Sequence, residues 1–165
     1  MTSVLTMMNF PEPLSSPESE NPDTLTVHNP SGFVLPLSRD IFEKILNKIE
    51  ASEKVTFSQV ELVFLEEHEI VEINKKHLNR DYVTDIISFR YDDTGGNQNI
   101  EGTLCCCAPR IAEQSAEFMT SQREEFSRVF IHGLLHLVGY DDQRKDDKER
   151  MTRLEDYYLS EIPEL

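Results

Sequence analysis

The sequence predicts a single α+β domain: a mixed, mainly four-stranded sheet with helices packed on it. Three observations lead there. Four β-prone segments, near residues 24, 60, 85 and 103, are separated by stretches whose apolar residues recur at helical spacing. The segments near 85 and 103 flank Asp92-Asp93-Thr94-Gly95-Gly96, a hairpin-type loop that makes them an antiparallel pair. Phe130, Ile131, Leu134, Leu135, Leu137 and Val138 make one later segment apolar almost all round, as a helix buried at the centre of a domain is. At 165 residues the chain fits one domain with a full core.

Each element has its local reason. Residues 1–23 carry Pro11, Pro13, Pro17, Pro22 and several serines with little periodicity, and are expected to be a disordered extension preceding a domain over 24–165. Residues 24–28 read as the first strand, ended by the turn cluster Asn29-Pro30-Ser31-Gly32. From Ser38-Arg39-Asp40 a helix begins in which Ile41, Ile45 and Ile49 form a stripe widened by Phe42 and Leu46. Residues 60–65 are dense in β-formers on both faces, as in a mostly buried strand. Residues 67–78 return to helical spacing, with Glu72 and Lys76 as an i, i+4 pair. Residues 84–91 and 100–107 are the hairpin strands. Pro109 suits the first turn of a helix running to about Met119. Ser121-Gln122-Arg123-Glu124 has capping-box form and opens a helix over about 122–138. A last helix, about 145–160, turns Met151, Leu154 and Tyr158 towards the body.

The chemistry concentrates in Ile131-His132-Gly133-Leu134-Leu135-His136-Leu137-Val138-Gly139-Tyr140-Asp141-Asp142. His132 and His136, four apart on a helix, project from one face and can direct two imidazoles at one ion. Gly139 ends the helix, since glycine takes the left-handed conformation cheaply, and the turn after it can return Asp141 or Asp142 to the histidines. In the zinc-protease motif H-E-x-x-H a glutamate follows the first histidine. Here Gly133 stands in that place, which argues against that mechanism. Gly133 leaves room beside the ion for water or substrate, or lets another element pack closely.

The net charge of -15 excludes a protein that coats nucleic acid nonspecifically, so any RNA contact must be local. Most acidic pairs, Glu155-Asp156 among them, read as solvated helix faces. The three consecutive cysteines, Cys105, Cys106 and Cys107, cannot form a secreted-type disulfide framework. On a strand they alternate between faces, which suits packing and not one metal ion. With no apolar run of membrane-spanning length and no secretory signal, the chain is expected to be cytoplasmic, without a membrane partner.

The run from His132 to Asp141 resembles, position for position, the signature of the YbeY family of bacterial rRNA-maturation factors: HxxxH, then a GYD turn and a third histidine. Asn74 and Thr84-Asp85-Ile86-Ile87-Ser88-Phe89 resemble that family's asparagine and TDVLSF strand at the same separation. The resemblance covers about residues 24–160 and implies a zincin-like helix bearing one zinc or other transition-metal ion. It implies a metal-dependent, single-strand endoribonuclease acting in rRNA maturation and ribosome biogenesis. RNA and ribosomal proteins or ribosome-associated factors would be its partners, and DNA is not expected. Three positions depart from the pattern. The third metal histidine falls on Asp142, the arginine four residues after the asparagine on Leu78, and the acidic residue after Gly102 on Thr103. The implied metal set is thus His132, His136 and Asp142, with aspartate an accepted zinc ligand. Asp141, in the GYD turn, is the one weak candidate for a general base. Arg80, Thr84 and Ser88 are candidates for substrate contact, Arg80 in place of the missing arginine. The alternatives are a ribosome-biogenesis binding factor with a structural metal and a small-molecule metallohydrolase.

Overall fold

The computed structural model describes residues 3–6, by their backbone, together with 23–92 and 95–165. The expected elements form in the expected order: β2 (Leu25–His28), α1 (Arg39–Glu53), β3 (Phe57–Leu65), α2 (Glu67–Leu78), β4 (Ile86–Arg90), β5 (Ile100–Cys107), α3 (Ala108–Glu117), α4 (Gln122–Val138) and α5 (Lys145–Ser160). To these is added β1 (Ser3–Thr6), inside the segment read as a disordered extension. That reading does not extend to these four residues, because β1 pairs in parallel with β4, Ser3 opposite Ile87 and Thr6 opposite Arg90. Residues 1–2 and 7–22 lie outside the described residues.

The sheet order is β1-β4-β5-β3-β2, so the four expected strands stand together with β1 added at one edge. The β4–β5 hairpin is antiparallel, with Ser88 opposite Leu104, whereas β3 runs parallel to both β5 and β2. Strand alternation divides the apolar side chains between the two faces. Val60, Leu62, Phe64, Ile86, Leu104 and Cys106 meet α1, α4 and α5 in the main core. Val63, Leu65, Ile87, Phe89, Cys105 and Cys107 meet Ile70 of α2 on the other side. The cysteines therefore alternate between cores as expected, and all three are buried free thiols.

Helix α4 is buried along most of its length because the sequence allows it to lie almost on the sheet. Gly133 faces β4 and β5: a Cβ there would stand 2.6 Å from Ile86 Cδ1 and 3.0 Å from Leu104 Cδ2. Of the two expectations for Gly133, the structure takes close packing. Ser121 caps the N-terminus by accepting from Glu124 N–H at 3.0 Å. Gly139, at φ 123°, ends the helix, and its N–H bonds back to the carbonyls of Leu135 and His136. Arg90 secures the same end from the sheet, donating to the Leu137 carbonyl at 2.8 Å while paired with Asp92 at 2.8 Å.

Candidate metal centre

Two consecutive turns of α4 present His132 and His136, and the turn after Gly139 brings Asp142 against them. His132 Nε2 and His136 Nε2 are 3.0 Å apart, and Asp142 Oδ2 lies 3.3 Å from the first and 3.4 Å from the second. Ligands about 2.0–2.1 Å from a tetrahedral ion stand about 3.3 Å from one another, so this triangle has the size that one transition-metal ion requires. Asp142, not Asp141, stands against the histidine pair, and these three form a group that could hold a metal ion among the described residues.

The hydrogen bonds behind the triangle assign its chemistry. His132 Nδ1 faces Glu155 Oε2 at 2.9 Å, and His136 Nδ1 faces the Tyr140 carbonyl at 2.9 Å. Both partners are acceptors, so each neutral imidazole carries its proton on Nδ1 and directs the Nε2 lone pair into the triangle. In that tautomer three lone pairs converge, and the 3.0 Å between the two Nε2 atoms calls for a proton or a metal ion to join them. A cation is the group that satisfies such a donor set, and the residues present fit a metal ion. Protonation tells the same story. Burial pulls the His132 imidazole down, but the hydrogen bonds to Asp142 and Glu155, with the charges of Glu155 and Asp85, outweigh it and hold the group at about 9. Burial raises the Asp142 carboxyl, and the two imidazoles more than reverse this, holding it well below its usual range. Both shifts report a site that draws positive charge.

Glu155 and Arg128 are the functional residues that sequence reasoning missed. Glu155, read as part of a solvated face, is 7% exposed, and its other oxygen lies 3.4 Å from Arg128 Nη1. Its burial was hidden because α5 is charged on every turn. The i, i+4 stripe Met151-Glu155, continued by Tyr158, was the available signal, since it puts the carboxylate on the buried face. Glu53 at the end of α1 accepts from Tyr140 OH at 2.7 Å and from Tyr158 OH at 2.5 Å, which pins the turn whose carbonyl orients His136.

The other sequence candidates are dispersed. Asp141 is exposed, and its Oδ1 accepts from Asp142 N–H at 2.7 Å, so it shapes the ligand turn. Arg80 is half-buried in the loop after α2, and Thr84 is buried, its hydroxyl 3.4 Å from Asp85 Oδ1. Ser88 is 0% exposed on the sheet face covered by α4, opposite Leu104 of β5. Arg90, a natural partner for Arg80, Lys75 and Lys76 in a phosphate-binding patch, is withdrawn from it by its burial against α4 and Asp92. A cleft of about 320 Å³ opens beside the centre between α3, α4 and α5, lined by His132 and Asp142 and by Asp85, Glu125 and Phe118.

Comparison with known proteins gives the chain's family. Residues 34–163 match the family profile described as Endoribonuclease YbeY. A Ureaplasma parvum protein of that name is 36% identical over 124 residues, 75% of this chain and 78% of its own length. Its namesake in Chlorobium phaeobacteroides is 34% identical over 142 residues, 86% of this chain and 99% of its own. That in Spiroplasma citri is 30% identical over 148 residues, 85% of this chain and 94% of its own. The solution structure of a Thermotoga maritima protein superposes with a TM-score of 0.55 at 22% identity, covering 84% of this chain and 88% of that one, and thus shares the fold. With the profile spanning residues 34–163 and these relatives aligned over 78–99% of their own length, the chain belongs to the Endoribonuclease YbeY family.

Proposed function

We propose that this chain is a metal-dependent endoribonuclease that hydrolyses phosphodiester bonds of single-stranded RNA in rRNA maturation. The observation that carries the reading is the convergence of His132 Nε2, His136 Nε2 and Asp142 Oδ2 at 3.0–3.4 Å in a chain of this family. Zinc suits two imidazole nitrogens and one carboxylate oxygen with a fourth position open. A divalent ion there supplies Lewis-acid chemistry, activating water and polarising a phosphoryl oxygen.

The chain's own residues prepare that step. Glu155 holds His132 in the tautomer that leaves Nε2 free, and the Tyr140 carbonyl does the same for His136. Asp142 contributes a negative charge where the family pattern has a neutral imidazole, so the protein part of the site is more anionic by one. Asp141 holds the ligand turn, its Oδ1 accepting from the Asp142 N–H. Arg80 is assigned to substrate phosphate, and Thr84 acts through the position of Asp85. Cytoplasmic residence and ribosomal or ribosome-associated partners belong to the same reading. Among the described residues no helix is long and apolar enough to cross a membrane.

Metal-loaded protein is expected to cut single-stranded RNA, and His136→Ala purified in the same way is expected to be inert. Equal cleavage by the two preparations would assign the activity to a contaminant and overturn the reading.

A further inference from the structure

The cleft beside the metal centre carries groups that metal chemistry does not use. Phe118, just past α3, lines it and remains 60% exposed. Asp85 and Glu125 lie in the same cleft and are joined through Gln114, whose Nε2 donates to Asp85 Oδ2 at 3.2 Å and to Glu125 Oε1 at 3.0 Å. Asp85 is fixed further by the Ile86 N–H at 2.8 Å. Glu125 is 2% exposed and its Oε2 also faces the Thr120 hydroxyl at 3.4 Å, whereas Asp85 is half-buried, so Asp85 is the preorganised acceptor that a ligand reaches in the cleft that Phe118 lines. Arg128 and Lys148 also line it.

We propose that this cleft is a nucleobase subsite. Phe118 stacks one unpaired base of the RNA, while Asp85 accepts a hydrogen bond from its amino edge and Glu125 holds Gln114 behind it, favouring bases with an exocyclic amino group over uracil. The inference rests on the endoribonuclease reading and names the substrate feature that the site selects. An exposed aromatic ring is the group on which unpaired bases stack, and about 320 Å³ is room for one nucleotide and not for a duplex. Adenine, cytosine and guanine carry amino donors, whereas uracil would turn carbonyl oxygens towards the Asp85 carboxylate and leave both sides unsatisfied. Charge agrees: Asp85, Glu125, Asp142 and Glu155 are offset by Arg128, Lys148 and a divalent ion, so the loaded cleft no longer repels a nucleotide.

The test uses the metal-loaded full chain and short single-stranded oligoribonucleotides containing one 2-aminopurine, whose fluorescence falls when it stacks. The wild type is expected to quench it, and to bind oligocytidylate on the order of tenfold more tightly than oligouridylate. Phe118→Ala should lose the quenching and about tenfold in affinity, Phe118→Trp should keep both, and the zinc affinity of either variant should stay unchanged. Asp85→Asn, which adds a donor, should narrow the preference against uridine. Quenching by Phe118→Ala equal to the wild type, or equal binding of the two homopolymers, overturns the subsite alone if the protein still cuts RNA. Absence of both RNA binding and cleavage overturns the subsite together with the function it rests on.

Discussion

At the residue scale, the third ligand is decided by a difference of one position. Asp141 and Asp142 are adjacent and chemically identical, yet one carboxylate is turned into the histidine pair and the other receives the N–H of its neighbour. Asp142→Ala should therefore lose more than about a hundredfold in zinc affinity, beyond the usual effect of a supporting group, and Asp141→Asn far less. Equal metal titrations for Asp142→Ala and the wild type would remove the assignment. Asp142→His should retain a tetrahedral site. Glu155→Gln tests the layer behind the ligands. An amide can still accept from His132 Nδ1 through its oxygen but brings no charge, so zinc affinity should fall by about ten- to a hundredfold while the fold persists. An unchanged zinc affinity in Glu155→Gln would show that His132 needs no carboxylate behind it.

At the element scale, α4 stands where it does because both ends are fixed and one face lacks side-chain bulk. Arg90 reaches from β4 to the last carbonyls of the helix, and it is only 8% exposed. Arg90→Ala should cost about 3 kcal/mol in unfolding free energy, since it strands Asp92 and the Leu137 carbonyl together. Urea denaturation measures this, and a loss below about 0.5 kcal/mol would mean that water replaces the guanidinium without penalty. The helix itself was legible because its signals are local: Ser121 before it, Gly139 after it, and His132 and His136 one turn apart between them. Its supports were not. Arg90 lies 47 residues from the carbonyl it caps, and Glu155 lies 23 from the histidine it orients. Periodicity marks an element's own faces and says nothing about which distant charge will be buried against them. Strand β1 escaped for a related reason: four residues bordered by a proline-rich stretch show too little alternation, and pairing with β4 supplies what the local sequence does not.

At the scale of the whole molecule, the sheet carries a titratable load at its centre. Cys105, Cys106 and Cys107 sit on the middle strand, β5, at 2%, 1% and 0% exposure, one facing α4 and two facing α2. Burial pushes the Cys105 thiol up to about 12, with the nearby Glu61 charge adding to it. Burial likewise pushes Cys107 up to about 11 and Cys106 well above its usual value. In the unfolded chain these thiols ionise near 9 or slightly below. Below that pH both states hold the protons and stability is unaffected. Above it the unfolded state releases them while the folded state retains them, so unfolding becomes more favourable as pH rises, until the folded thiols ionise as well. The thiols should accordingly add no slope across neutrality, and their contribution should make stability fall from about pH 9 towards 11 or 12. Tyr91, raised by burial, contributes to the same limb. A variant with Cys105→Val and Cys107→Ala separates the contributions: its melting temperature should fall less steeply above pH 9 than that of the wild type. Coincident alkaline limbs would assign the loss to the tyrosines. Thiol reagents provide the kinetic counterpart. At pH 8 the native chain should react only as fast as it opens, and urea should bring all three cysteines to the rate of a free thiol.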